Sequence, residues 1–280
     1  MMRSKGIFVK TWALLGATAM FLSVGALFAF VFWKGAVVVD ADFLFSSPKG
    51  AVLGEEGGIY PAIIGSIWFT AGSVVIGGVP AFLIAVYLAF MRNSEKAEAA
   101  GQLILRCAAG IPSIVLGMFA YSLFVKDLSW GRSILSASIA LGIMIMPYIE
   151  TLIEKAFREV PSHMIESSRA LGFSRMKILG LVILPMCSGE IVAALILGAC
   201  FSMGATAPLI FTGGVAFASA PTDMLHPAMA LPLHLYLLVS QGGSSIEAAY
   251  GTALVMMVLV LAGNIVARTL AQRSRPKWRT

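Results

Sequence analysis

Charge is what this chain has least of. Only 12% of its 280 residues are Asp, Glu, Lys or Arg, about half the share carried by a soluble globular domain. With 59% hydrophobic residues and a mean hydropathy of +0.89, that scarcity excludes a water-soluble domain and leaves an integral membrane protein. Cysteine is scarce too. Cys107, Cys187 and Cys200 lie far apart, in or beside apolar segments, which suggests neither a zinc site nor a disulfide framework. No G-x-x-x-x-G-K-[ST] run is present to cradle nucleotide phosphates, and no H-E-x-x-H or G-x-S-x-G arrangement offers a metal site or a nucleophile. The reading is therefore of a chain with no catalytic residues, no metal ligands and no bound cofactor, whose energy source belongs to another subunit.

What is present is a series of stretches long enough to cross a hydrocarbon core as helices of roughly 20 residues. Six are read, at about 12–33, 62–91, 103–125, 133–154, 178–212 and 246–268, the fifth long and interrupted. An even number puts both termini on one side. Lys34, Lys49, Lys126 and Arg132 then fall on the opposite side, and the other sixteen of the twenty basic residues fall with the termini. Because Lys and Arg are retained in cytoplasmic loops, the termini are expected in the cytoplasm, and the net charge of +6 reflects topology, not nucleic-acid binding. The first apolar run follows a basic start, as a secretory signal would. It is longer than the roughly 7–15 residues of a signal's apolar core and closes on no small-x-small cleavage site, so a retained helix is expected. The expected organisation is all-α: a cytoplasmic N-terminus at 1–11, a transmembrane domain at 12–270 and a basic cytoplasmic tail at 271–280.

Glycine and proline concentrate in "GSVVIGGVPAF" (72–82) and "GACFSMGATAPLIFTGG" (198–214). Such residues weaken a soluble helix, whereas in a membrane they let helices approach closely or line a cavity as broken helices. Ser202, Gly204, Thr206 and Pro208, with Ser113, are the candidate lining of a translocation path. No basic residue lies between Lys177 and Arg268, so the fifth span offers an anion only hydroxyls and backbone N–H groups. The following loop, 213–245, holds an apolar run too short to span, which reads as a re-entrant or interfacial helix. Its His226 and His234 read as interfacial polar residues, since no third ligand stands at helical spacing. Glu150 and Glu154 read as marking the cytoplasmic end of the fourth span, and Glu190 as an interfacial carboxylate.

The stretch "MIESSRALGFSRMKILGLVILP" (164–185) interrupts this apolar pattern. Pro161, a possible Ser162 cap and a shared face of Ile165, Arg169 and Phe173 predict a short helix over 162–175 lying on the membrane surface. Gly172 gives a permissive backbone position, and Leu184-Pro185 falls in the first turns of the next span. Glu166, Gly172, Val182, Leu184 and Pro185 stand at the intervals of the coupling motif of ABC importer permeases, E-A-A-x-x-x-G, nine residues, I-x-L-P. Ser167 and Ser168 replace the two alanines, Val182 replaces isoleucine, and Ala170 lies between. The chain resembles that superfamily. "GGIYPAIIGS", "GVPAFLIAVYLA", "IPSIVLGMFAY", "GATAPLIFTGG", "LPLHLY" and "AGNIVARTL", in order from 57 to 270, are similar to the permeases of phosphate-specific (Pst) transporters, PstA type.

That resemblance implies a type I, MetI-like permease fold in a bacterial or archaeal inner membrane, surrounded by lipid. It also implies a PstC-like second permease, two PstB-like ATPase subunits that carry ATP and magnesium, and a PstS-like solute-binding protein. The chain departs from the family where an arginine and a glutamate usually flank the glycine of G-E-T-A-P-L. Phe201 and Ala205 stand there. The substrate implied is phosphate, with another oxyanion or a less charged solute as the rival, and a membrane sensor or scaffold as the rival of a different class. An ion-driven transporter would need midplane charges, which are scarce.

Overall fold

The protein is described by a computed structural model covering residues 2–50, 52–91 and 95–273; Arg92 and residues 274–280 of the expected basic tail lie outside them. A bilayer offers no water to unpaired backbone groups, so spanning segments satisfy them internally as helices. In chain order these are α1 (Met2–Ala36), α2 (Ala41–Phe45), α3 (Tyr60–Val86), α4 (Glu95–Ala109), α5 (Ser113–Ala120), α6 (Ile134–Arg158), α7 (Ser162–Ala170), α8 (Arg175–Ile178), α9 (Leu184–Met203), α10 (Ala207–Thr212), α11 (Leu231–Gln241) and α12 (Ser245–Arg273). Wider π-type turns extend α3 over Tyr87–Met91, extend α5 over Tyr121–Asp127 and join α8 to α9 over Leu179–Ile183.

Five stretches are long and apolar enough to cross a membrane: Lys10–Ala36, Tyr60–Met91, Ile134–Arg158, Arg175–Met203 and Ser245–Gln272. The third expected span, 103–125, is not one straight helix. Glu98–Ala109 and Ser113–Asp127 meet at 91°, and the six-span reading holds when this bent pair counts as one. Gly110 closes α4 by donating to the carbonyls of Arg106 and Cys107. Pro112 has no N–H to continue the ladder and biases the residue before it away from helix. The fifth expected span, 178–212, likewise divides: α9 stops at Met203 and α10 begins at Ala207.

The centre of the molecule is α3 against α6, with α9 packed on both, α12 on α9, and α1 on α12. Gly77 of α3 faces Gly142 of α6 so closely that a Cβ on Gly77 would strike the Gly142 carbonyl. Small residues at such contacts give membrane helices the van der Waals contact that replaces the hydrophobic drive. Around this approach Ala81, Ala85, Ile145, Ile149, Ile153 and Phe157 form one buried cluster. α1 stands apart. Phe21 and Trp33 are 72% and 79% exposed, and α1 meets α12 where Gly35 abuts Tyr250 and Leu254 and where Phe30 sets its ring edge on Tyr250 at 5.6 Å.

The Ile134 end of α6 is closed by the loop after α10. Ser133 caps the helix by accepting from the Ser136 amide at 3.2 Å. The amides of Ile134 and Leu135 donate to the carbonyls of His226 and Met224 at 3.0 and 2.8 Å. Arg132 donates to the carbonyls of Ile210 and Gly214, holding α10 and the loop together. α11 is the short helix expected within 213–245. His226 is exposed and pairs with Asp223 at 2.9 Å, and that hydrogen bond holds the Asp223 carboxyl below its ordinary range. His234 departs from the interfacial reading. Helical spacing puts it on one face with Leu231 and Leu238, all buried, and burial pushes its imidazole down to about 4.

Candidate functional site

The connector between α6 and α9 is built from α7 and α8. Pro161 takes the N-cap position without a side-chain hydrogen bond, and Ser162 lies inside the first turn, so Ser162 is not the cap. The helix expected to reach Arg175 ends at Ala170. There the amide of Phe173 donates to the Ser168 carbonyl at 3.1 Å and that of Gly172 to the Arg169 carbonyl at 2.9 Å. With Gly172 at φ +79°, this is the left-handed glycine closure of a helix. Phe173 is thereby turned off the helix and shares no helical face with Ile165 and Arg169. Ser174 then accepts from the Lys177 amide at 3.4 Å to start α8.

Glu166, Ser167 and Ala170 project outward, while Ser168 is buried and its hydroxyl donates to the Met164 carbonyl at 2.7 Å. Beside them Leu171, Phe173 and Met176 are 75%, 37% and 61% exposed. Sequence reasoning did not single out these three apolar side chains as functional. The available signal was their presence in a polar connector, where an uncovered apolar patch marks a contact surface. Val182 and Leu184 pack against the buried cluster of α3 and α6. Pro185 sits at the start of α9, where a missing N–H costs least. The connector is thus joined directly to packed spans.

At the Arg158 end of α6, Arg158 binds Glu154 at 2.5 Å and Glu98 of α4 at 2.6 Å. Next to this triad the bend between α4 and α5 leaves a cavity of 680 Å³ against α6 and α9, lined among others by Arg106, Ser113, Tyr148, Glu150 and Phe201. Glu154 sits at the helix end as expected. Glu150, one turn deeper and three residues from both Pro147 and Ile153 on the buried stripe, is only 1% exposed, and its Oε1 has no hydrogen-bond partner. Phe201 sets its ring on Tyr148 at 5.6 Å. Glu190, half-buried, faces a smaller hollow shared with Lys155 and Glu159.

The five candidate path residues are not gathered in one place. Ser113 lies on the cavity wall. Ser202 faces α3 instead, with its hydroxyl 2.7 Å from that of Ser73, which itself donates to the Thr70 carbonyl. Thr206 reaches the Pro232 carbonyl at 3.5 Å. Pro208 is buried against Gly117 of α5, and Gly204 ends α9. Among the described residues no cluster of three His, Cys, Asp or Glu could hold a metal ion.

Residues 81–280 match the family described as "Binding-protein-dependent transport system inner membrane component". The chain belongs to this family of ABC importer permeases. Among its relatives, a Methanocaldococcus jannaschii protein, "Probable phosphate transport system permease protein PstA", is 35% identical over 74% of each chain. "Phosphate transport system permease protein PstA 2" of Mycobacterium bovis is 32% identical over 80% of this chain and 75% of the relative, and the family resemblance is accordingly of PstA type. Solved permeases share the fold: an inward-facing MetNI methionine ABC transporter, at 20% identity, superposes with a TM-score of 0.58 over 76% of this chain and 97% of that one. An amino acid ABC transporter with histidines gives 0.57 over 77% and 92%, at 17% identity. Such permeases are membrane subunits and not enzymes; no nucleotide-binding motif is present in this chain.

Proposed function

We propose that this permease imports inorganic phosphate, paired with a PstC-like second permease, driven by two PstB-like ATPase subunits that hold ATP and magnesium, and fed by a PstS-like binding protein. Both termini, the segment 1–11, the tail from 271 and the connector face the cytoplasm in this reading. The observation that carries it is the connector: a helix closed by Gly172, with Glu166, Ser167 and Ala170 projecting and Leu171, Phe173 and Met176 uncovered, on a chain whose relatives are named phosphate permeases. An apolar knob rimmed by polar groups fits a cleft on another protein. Closure of the ATPases would move the knob, and Val182 and Leu184 would pass that movement to α3 and α6.

Phe201 on the cavity wall favours a second reading, a less charged solute, because an aromatic ring supplies no charge to a dianion. ATP-dependent uptake of labelled phosphate into liposomes holding the assembled importer decides between them. Uptake competed by unlabelled phosphate and not by sulfate or molybdate upholds the first. An assembly whose ATPase responds to its binding protein without taking up phosphate upholds the second.

A further inference from the structure

Glu150 presents a problem that this chain does not solve. Its carboxyl is buried within the candidate span Ile134–Arg158 with one oxygen unpartnered, and a buried charge without a counter-charge is among the most expensive features a membrane protein can hold. A neutral carboxyl would still need its polar atoms satisfied. The neighbours are committed elsewhere. Thr151 donates to the Pro147 carbonyl at 2.8 Å, the Gln102 amide faces Glu98 at 3.5 Å, and Arg158, whose charge acts on Glu150 from two turns away without touching it, is itself held by Glu154 and Glu98. Arg106 lines the same cavity but is exposed and forms no ion pair among the described residues. α9 offers no cation at all, since no Lys or Arg occurs from 178 to 267, and its contribution to the wall is the Phe201 ring.

The cavity is open at the surface of the chain: Ile111, Tyr148 and Phe201 on its rim are 44%, 41% and 50% exposed. At 680 Å³ it falls within the roughly 300–1,000 Å³ of pockets that hold a ligand, ample for a long side chain. A basic side chain carried on a neighbouring helix is long enough to bring its charge into such a site from an apolar flank. Membrane helices place ionisable groups where a partner's charge meets them.

We infer that this cavity receives a basic side chain from the second permease subunit, whose ammonium or guanidinium pairs with Glu150 across the interface of the two permeases. The inference rests on the proposed pairing with a second permease and not on the identity of the solute. Its consequence is that the carboxylate and the cation belong to different chains, so neither permease alone has a balanced path.

The test uses the whole importer in detergent and in liposomes, reading co-purification of the second permease separately from phosphate uptake. Glu150→Lys is expected to lower the co-purified second permease by at least about tenfold, because removing one member of a buried pair strands the other. Exchanging one basic residue of the second permease's membrane segments for Glu is expected to restore it. A disulfide between Glu150→Cys and a cysteine at that same partner position, with the native cysteines replaced, would place the two groups in contact. The inference is overturned if Glu150→Lys and Glu150→Gln assemble and transport like the parent. It is also overturned if Arg106→Glu in this chain, and no change in the partner, restores Glu150→Lys. Intact assembly with an altered choice of solute would likewise overturn it, because Glu150 would then face the solute. Restored assembly without phosphate uptake by the unaltered importer would leave this pairing in place and remove only the phosphate reading.

Discussion

At its Ile134 end α6 is closed by the chain itself: loop carbonyls take the first amides, Ser133 caps, and Arg132 ties α10 to the loop. At its Arg158 end the same helix runs into groups the chain leaves unpartnered or uncovered, namely the buried Glu150 oxygen and the exposed apolar knob of Leu171, Phe173 and Met176. One end is finished by folding and the other, on the proposed reading, by assembly. Residues that serve the fold have their partners within the polypeptide, so their loss is read in stability. Residues that serve a complex are exposed or unpaired here, so their loss is read in transport.

Changes at the knob sharpen the contrast most. Leu171→Asp with Phe173→Asp is expected to cut ATP-driven uptake by at least about a hundredfold, since hot-spot contacts carry 2 kcal/mol or more each but are not additive, while the melting temperature of the detergent-solubilised chain stays within about 1 °C, as surface changes away from packing do. Stability loss of more than a few degrees would mean the knob is packed after all. Arg132→Ala breaks the other end: losing its charged hydrogen bonds to the Ile210 and Gly214 carbonyls should cost about 2 kcal/mol, visible as a lower melting temperature and faster hydrogen exchange in α10. Next in size is a pH effect at the finished end. The His234 imidazole is held neutral, down at about 4 against an ordinary 6.5, so the unfolded chain takes up the proton first. Stability is therefore full above pH 6.5 and declines as pH falls towards 4. Melting curves at pH 7.5 and 5 should show that decline, and His234→Phe should flatten it. Smallest is Ser202→Ala, about 0.6 kcal/mol, the typical worth of a hydrogen bond between membrane helices; uptake assays on it would show unchanged transport if Ser202 only serves packing against Ser73.

Much of this was legible in the sequence because bilayers impose strong rules. Long apolar runs gave the first, second, fourth and sixth spans to within a few residues, and the E-x-x-x-x-x-G and x-L-P spacing located the connector. Hydropathy averaging hid the bend at Gly110 and Pro112, although the two residues themselves signal a break. The knob was missed because exposed apolar residues are ordinary in a greasy chain, and only their position beyond the closure at Gly172 makes them unusual. Polarity points His234 to an interface and Glu150 to the end of the fourth span, whereas helical register places both on buried stripes. No sequence signal tells whether a buried carboxylate is met from its own chain or from another.

The finished end of α6 also has a mechanical consequence. With its first turn clamped to the loop after α10, and with α7 beginning four residues after its last turn, α6 is a strut of 25 residues, about 37 Å long at 1.5 Å per residue. Pro147 leaves one bond of its hydrogen-bond ladder unmade, so on this geometry a load placed on the loop of Met224 and His226 would reach the connector through that one yielding point, and a pull on the connector would meet it on the way to the loop.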